Sequence, residues 1–125
     1  MALLPRAVVE AIVLSEGTIG SARAVAGRLG LTNRFTLARL LKREGLPPLH
    51  RFAHWVMIES WLRRAEEGRM SLSQLALRRR RHSSSWYRLI KEITGMSWEQ
   101  LQRRGLVWFH AEFAKELTTW QRSEV

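Results

Sequence analysis

The sequence predicts an all-α chain: two helix–turn–helix lobes joined by a long bridging helix, plus a C-terminal helix. Three observations carry that expectation. No run alternates apolar and polar residues as a half-buried strand does. Apolar residues recur instead at steps of three and four, between glycines, prolines and capping residues. One short phrase also occurs twice, with its arginines forty-nine residues apart: Ala38-Arg39-Leu40-Leu41-Lys42 and Tyr87-Arg88-Leu89-Ile90-Lys91. Each copy follows small polar residues and an apolar-Ala pair (Val25-Ala26, Leu75-Ala76), and each is closed by a glycine, Gly45 or Gly95. A phrase repeated with its surroundings marks a duplicated helical unit.

The elements follow in order. A first helix runs from about Pro5 to Leu14, with Val8, Val9, Ile12 and Val13 on one face, and Gly17 to Gly20 break it. Ser21 caps a second helix carrying Val25, Ala26 and Leu29, which Gly30 ends. Thr32 or Asn33 caps a third through Arg43, with Leu37, Leu40 and Leu41 inward. After Gly45 and Pro47-Pro48, a long fourth helix spans about Leu49 to Glu66. One of its faces carries Leu49, Phe52, Ala53 and Val56; another carries Trp55, Ile58, Leu62 and Ala65. A surface helix has one apolar stripe, so this one is expected to be wedged between two lobes.

The second unit opens at Ser71, three residues before Gln74, the spacing of a capping box, with Leu72, Leu75 and Ala76 behind it. Ser83 is expected to cap the next helix, whose core positions are Trp86, Leu89, Ile90 and Ile93. Ser97 and Gln100 form a further capping box for a short helix. A last helix places Leu106, Phe109, Phe113, Leu117 and Trp120 at steps of three and four, to dock on the second lobe. The expected organisation is an N-terminal helix and first lobe (1–47), a bridge (48–68), a second lobe (69–104) and a C-terminal amphipathic helix (105–125).

Charge is distributed as unevenly as the motif. The chain carries +10, yet residues 21–104 hold 18 basic and six acidic residues, a net +12, while both flanks are slightly acidic. Arginine outnumbers lysine 18 to 3, which suits forked contacts to phosphates and guanine edges. There is no cysteine, hence no disulfide and no thiolate metal site. The apolar runs are too short to span a bilayer, and Arg6 and Glu10 interrupt the N-terminal stretch unlike a signal peptide. A cytoplasmic location without membrane association is expected.

An enzyme is not expected. His50 and His54 stand four apart on one helix, as zinc ligands can, but no third ligand lies nearby in sequence. His82 beside Ser83 to Ser85 is no nucleophile–base pair, because adjacent helical residues point apart. No phosphate-cradling glycine loop and no aspartate at all is present. No catalytic residue, metal site or cofactor is assigned.

The repeated unit resembles the AraC/XylS family of bacterial transcription regulators. The resemblance rests on Leu37, Arg39, Leu41, Lys42, Glu44 and Gly45 in the first copy. In the second it rests on Trp86, Arg88, Ile90, Lys91 and Thr94-Gly95-Met96-Ser97, and it covers about residues 5 to 104. The chain departs from the family at Arg80, where members usually have glycine, and at Trp98, where proline is usual. The resemblance implies a seven-helix domain that binds double-stranded DNA, like the stand-alone activators or the isolated DNA-binding half of a larger regulator.

In such a domain the second helix of each unit lies in the major groove. That face offers Asn33, Arg34, Phe35, Ala38 and Arg39 in the first unit, and Ser83, Ser84, Ser85, Tyr87 and Arg88 in the second. Asn33 suits adenine, and Arg34 or Arg39 suits guanine. Arg78, Arg79, Arg80 and Arg81 are placed to clamp the phosphate backbone. Two alternatives remain open for Phe35 (core or DNA contact) and for Arg39 and Arg88 (DNA contact or a structural pair with a glutamate). The six tryptophans are expected to pack in the core.

The resulting expectation is a sequence-specific regulator of double-stranded DNA that reads successive major grooves as a monomer, with RNA polymerase as a further partner. The alternatives are the DNA-recognition module of a transposase or recombinase, and a protein-interaction adaptor that dimerises through the Trp-rich helix at 105–125.

Overall fold

A computed structural model of the chain describes residues 3–68, 74 and 83–122. Those residues form six helices and no strand: α1 (Leu3–Leu14), α2 (Ala22–Arg28), α3 (Arg34–Arg43), α4 (Leu49–Gly68), α5 (Ser83–Thr94) and α6 (Trp98–Arg122). The expected helix around Leu72, Leu75 and Ala76, and the cap at Ser71, lie outside the described residues. The protein is all-α, and its element boundaries fall within two residues of the sequence expectation wherever both can be compared. None of the described helices is long and apolar enough to cross a membrane.

Two apolar cores share α4. In the first, Leu49, Phe52, Ala53 and Val56 of α4 meet Val8 and Ile12 of α1, Val25 and Ala26 of α2, and Leu37 and Leu41 of α3. In the second, Trp55, Ile58, Trp61, Leu62 and Ala65 of α4 meet Trp86 and Ile90 of α5 and Trp98, Leu101 and Phe109 of α6. The two faces expected from the sequence are therefore the two faces used. One expectation for α1 fails: Val13 is 52% exposed. The buried stripe is Pro5, Val8 and Ile12, and Val13 lies one helical step of 100° beyond Ile12, outside the arc that α4 covers.

The turn after α1 locks that helix to α4. Gly17 N–H donates to Ile12 O (2.9 Å) and Glu16 N–H to Val13 O (3.1 Å), a paired closure that puts residue 16 in the left-handed region. Glycine usually occupies that position, yet here it is Glu16, with φ 55°. Its carboxylate accepts hydrogen bonds from the hydroxyl of the buried Ser60 and from Arg64 Nη2 (2.8 and 2.6 Å), both on α4. The Ser60 hydrogen bond holds the Glu16 carboxyl below its ordinary value; partial burial opposes this and Arg64 adds to it. Gly17, at φ 84°, lies against the α4 backbone: a Cβ there would sit 2.3 Å from Ala53 O and 2.8 Å from Met57 Cβ. No other residue fits.

The C-terminal helix is two helices joined at a kink. The reciprocal capping box forms as expected, with Gln100 N–H donating to Ser97 Oγ (3.2 Å) and Ser97 N–H to Gln100 Oε1 (3.0 Å). Gly105, at φ 85° and ψ 172°, breaks the helix, in a region that only glycine occupies readily. The Leu106 N–H released by the break donates to Glu66 Oε1 of α4 (3.1 Å). Past the break, the stripe of α6 docks along α4. Phe109 and Phe113 pack on Trp55 at centroid separations of 5.2 and 5.3 Å, and Phe113 meets Phe52 edge-on at 5.9 Å.

Docking goes further than the second lobe. Leu117 packs against the first core, and Glu116 pairs with Arg51 of α4. Trp120 Nε1 donates to the same carboxylate at 3.0 Å. Burial of Glu116 disfavours its charge, but the hydrogen bonds from Arg51 and Trp120 outweigh it and lower its pKa. The expectation of docking on the second lobe alone is thus corrected, because 17 residues of helix after the break are long enough to span both cores.

Two tests follow from the α1–α4 lock. Gly17→Ala combines a left-handed backbone penalty with a clash against α4 backbone, and is expected to lower unfolding free energy by roughly 2–4 kcal/mol in urea denaturation. Glu16→Gln is expected to destabilise by roughly 1–3 kcal/mol at pH 7. Because the folded carboxyl titrates below its unfolded value near 4.5, its contribution is present above that value and is lost as pH falls through the folded one. Variant and parent should therefore converge in stability on acidification, and a constant gap down to pH 2 would refute the assignment.

Candidate nucleic-acid interface

The first corner is built from α2, a five-residue turn and α3, which pack against each other. Ser21 Oγ caps α2 by accepting from Ala24 N–H (3.1 Å). Gly30 N–H to Gly27 O (3.1 Å) and Leu31 N–H to Ala26 O (2.9 Å) close its far end. Arg28 ties the corner to the preceding turn through Ile19 O (2.7 Å). Asn33, in extended conformation, is the residue that caps α3: its Oδ1 accepts from Thr36 N–H (3.0 Å) and from Thr36 Oγ1 (3.3 Å).

The cap sets the rotation of α3. Leu37, Leu40 and Leu41 are buried, so Arg34, Phe35, Ala38 and Arg39 fall on the outward side, all exposed. Phe35 is 59% exposed, with the Arg34 guanidinium 5.0 Å from its ring centroid. Phe35 is therefore a surface residue and no part of the core. Arg39 donates to Thr36 Oγ1 one turn back (3.4 Å), and among the described residues it makes no glutamate pair. Asn33 is also exposed, but its carbonyl oxygen is committed to the cap. A two-point contact with adenine needs that oxygen and the amide together, so the cap and the reading role compete.

In the second unit α5 buries Trp86 and Ile90, half-buries Leu89 and Ile93, and exposes Ser84, Ser85, Tyr87 and Arg88. The Trp86 ring stacks on Trp61 of α4 at 4.0 Å and 8°, which fixes which side of α5 faces outward. Ser83 is the first helical residue and not the cap that precedes it. Arg78, Arg79, Arg80 and Arg81 lie outside the described residues, so the proposed phosphate clamp has no described position.

Sequence reasoning omitted Lys42, which is exposed on α3 beyond Ala38 and Arg39. Its signal was present, since Lys42 and Lys91 hold matching places in the repeated phrase. Sequence reasoning also had no means to foresee that Trp120, 82 residues after Ala38, shares a cavity wall with it. The two histidines of α4 stand with ring centroids 6.3 Å apart. Among the described residues no three His, Cys, Asp or Glu side chains come together as a metal site would require. No known protein family, curated protein or solved structure matches the chain.

Proposed function

We propose that the chain is a cytoplasmic regulator of transcription that binds double-stranded DNA without chemistry of its own. In this reading α3 and α5 enter successive major grooves on one face of the duplex, and the chain reads an asymmetric site as a monomer. The outward row of Arg34, Phe35, Ala38 and Arg39 on α3, opposite buried Leu37, Leu40 and Leu41, carries the reading. A guanidinium at the first turn of an exposed helix reaches guanine O6 and N7, while Phe35 and Ala38 suit the thymine methyl. Tyr87 and Arg88, with Ser84 and Ser85, give α5 a shorter-armed surface for phosphates and methyls. Arg78 to Arg81 supply backbone charge in the same scheme. The resemblance to AraC/XylS regulators and the +12 charge of residues 21–104 point the same way, and RNA polymerase is the further partner this role brings.

The adaptor alternative would have to use an α6 stripe of which Phe109 is buried and Leu106, Phe113 and Leu117 pack in part against the two cores of the same chain.

Selection of bound duplexes from a random pool should return one extended site with two contacted segments. Arg34→Ala is expected to relax preference within one segment at a cost of roughly 1–3 kcal/mol. Arg79→Ala should weaken all duplexes about equally and flatten the salt dependence by about one contact. With about six phosphate contacts, affinity should fall on the order of a thousandfold between 50 and 200 mM salt. A flat salt response, or unchanged binding in both variants, would remove the assignment.

A further inference from the structure

Beside the DNA-facing row of α3 the protein holds an apolar cavity of about 500 Å³, within the size range of small-molecule sites. Its walls are Leu37 and Leu41 of α3, Leu46 of the connection, Leu49 at the start of α4, and Trp120 of α6. Its charged or ionisable lining is of one kind: Arg34, Lys42 and His50, with no carboxylate. Arg34 and Lys42 are both exposed, and Arg34, which lies over the Phe35 ring, would leave that ring to meet a guest. Trp120 reaches this cavity because α6 extends to the first core, where Leu117 packs and Glu116 pairs with Arg51 of α4; Glu116 also accepts from Trp120 Nε1 within α6.

We propose that this cavity binds a small amphipathic anion, an alkyl or aryl carboxylate. Its tail lies against the leucines and Trp120, and its carboxylate meets Lys42 and Arg34. Charge complementarity selects this class: a neutral hydrocarbon leaves the cations unused, and an amine is repelled. The proposal also assigns a regulatory consequence, which rests on the DNA-binding reading above. Arg34 cannot serve a bound carboxylate and a guanine edge together, so occupancy weakens DNA binding.

The test uses the full chain with decanoate, kept below its micelle concentration, and decanol and decylamine as controls. Calorimetry should show one equivalent of decanoate bound, with decanol and decylamine each about tenfold weaker or more. Leucine methyl signals of residues 37, 41, 46 and 49 should shift. Lys42→Gln, at an exposed position, should keep the fold by circular dichroism and lose about tenfold in decanoate affinity. Equal binding of decanol, more than one equivalent of decanoate, shifts confined to other residues, or an unaffected Lys42→Gln would each overturn the site. Decanoate seated in the cavity of a chain that binds no duplex would uphold the site while overturning the DNA reading and with it the regulatory consequence. Duplex affinity unchanged at saturating decanoate would overturn that consequence alone.

Discussion

Aromatic stacking on α4 fixes the layout of the molecule. Trp61 lies flat on Trp86 at 4.0 Å, and Trp55 on Phe113 at 5.3 Å. Each such pair adds about 0.5–1.5 kcal/mol to the apolar area it buries. More important is where the pairs sit: both grow from one helix and point into the second core, while Phe52 and Val56 of the same helix point into the first. A helix with apolar residues on several sides cannot be left half-covered in water. α4 therefore holds both cores in register, and any surface built on either core is positioned relative to the other through it.

The rest of the described architecture defends that arrangement. At the start of the chain, α1 is pressed onto α4 so closely that Gly17 touches backbone, and the left-handed Glu16 is held by Ser60 and Arg64. At the end, α6 breaks at Gly105, and the N–H that the break exposes is met by Glu66 of α4. In both places irregular backbone close to α4 is compensated by a carboxylate that bridges to or from it. These are specific solutions, unlike the generic leucine packing of α3, and each engages one of the chain's few acids, Glu16 and Glu66, at the bridge.

For function, the key consequence is rotational. Capping by Asn33 and burial of Leu37, Leu40 and Leu41 together decide that Arg34, Phe35, Ala38 and Arg39 face out. Much of this was legible beforehand. The step of three and four among the leucines gives the inward face of α3, and the outward face follows by difference. Less legible was the choice between Thr32 and Asn33 as cap, since both residue types cap well. Phe35 could not be assigned either, because a large apolar residue at the edge of a stripe goes inward only if a neighbour is there to cover it. Val13 failed for that same reason.

Local pattern alone settled the helical class, the helix boundaries, the two-faced bridge and the capping box at Ser97 and Gln100, because each depends on residues within one or two turns of each other. Tertiary structure decided which neighbours arrive. It placed Glu16 against Ser60, 44 residues away, and Glu66 against Leu106, 40 residues away. It also carried Trp120 past its own lobe to the side of α3. No periodicity encodes such meetings, since they arise from the lengths and directions of whole helices packed around a shared one. The face of α3 was thus written in the sequence, while the cavity beside it belongs to the fold.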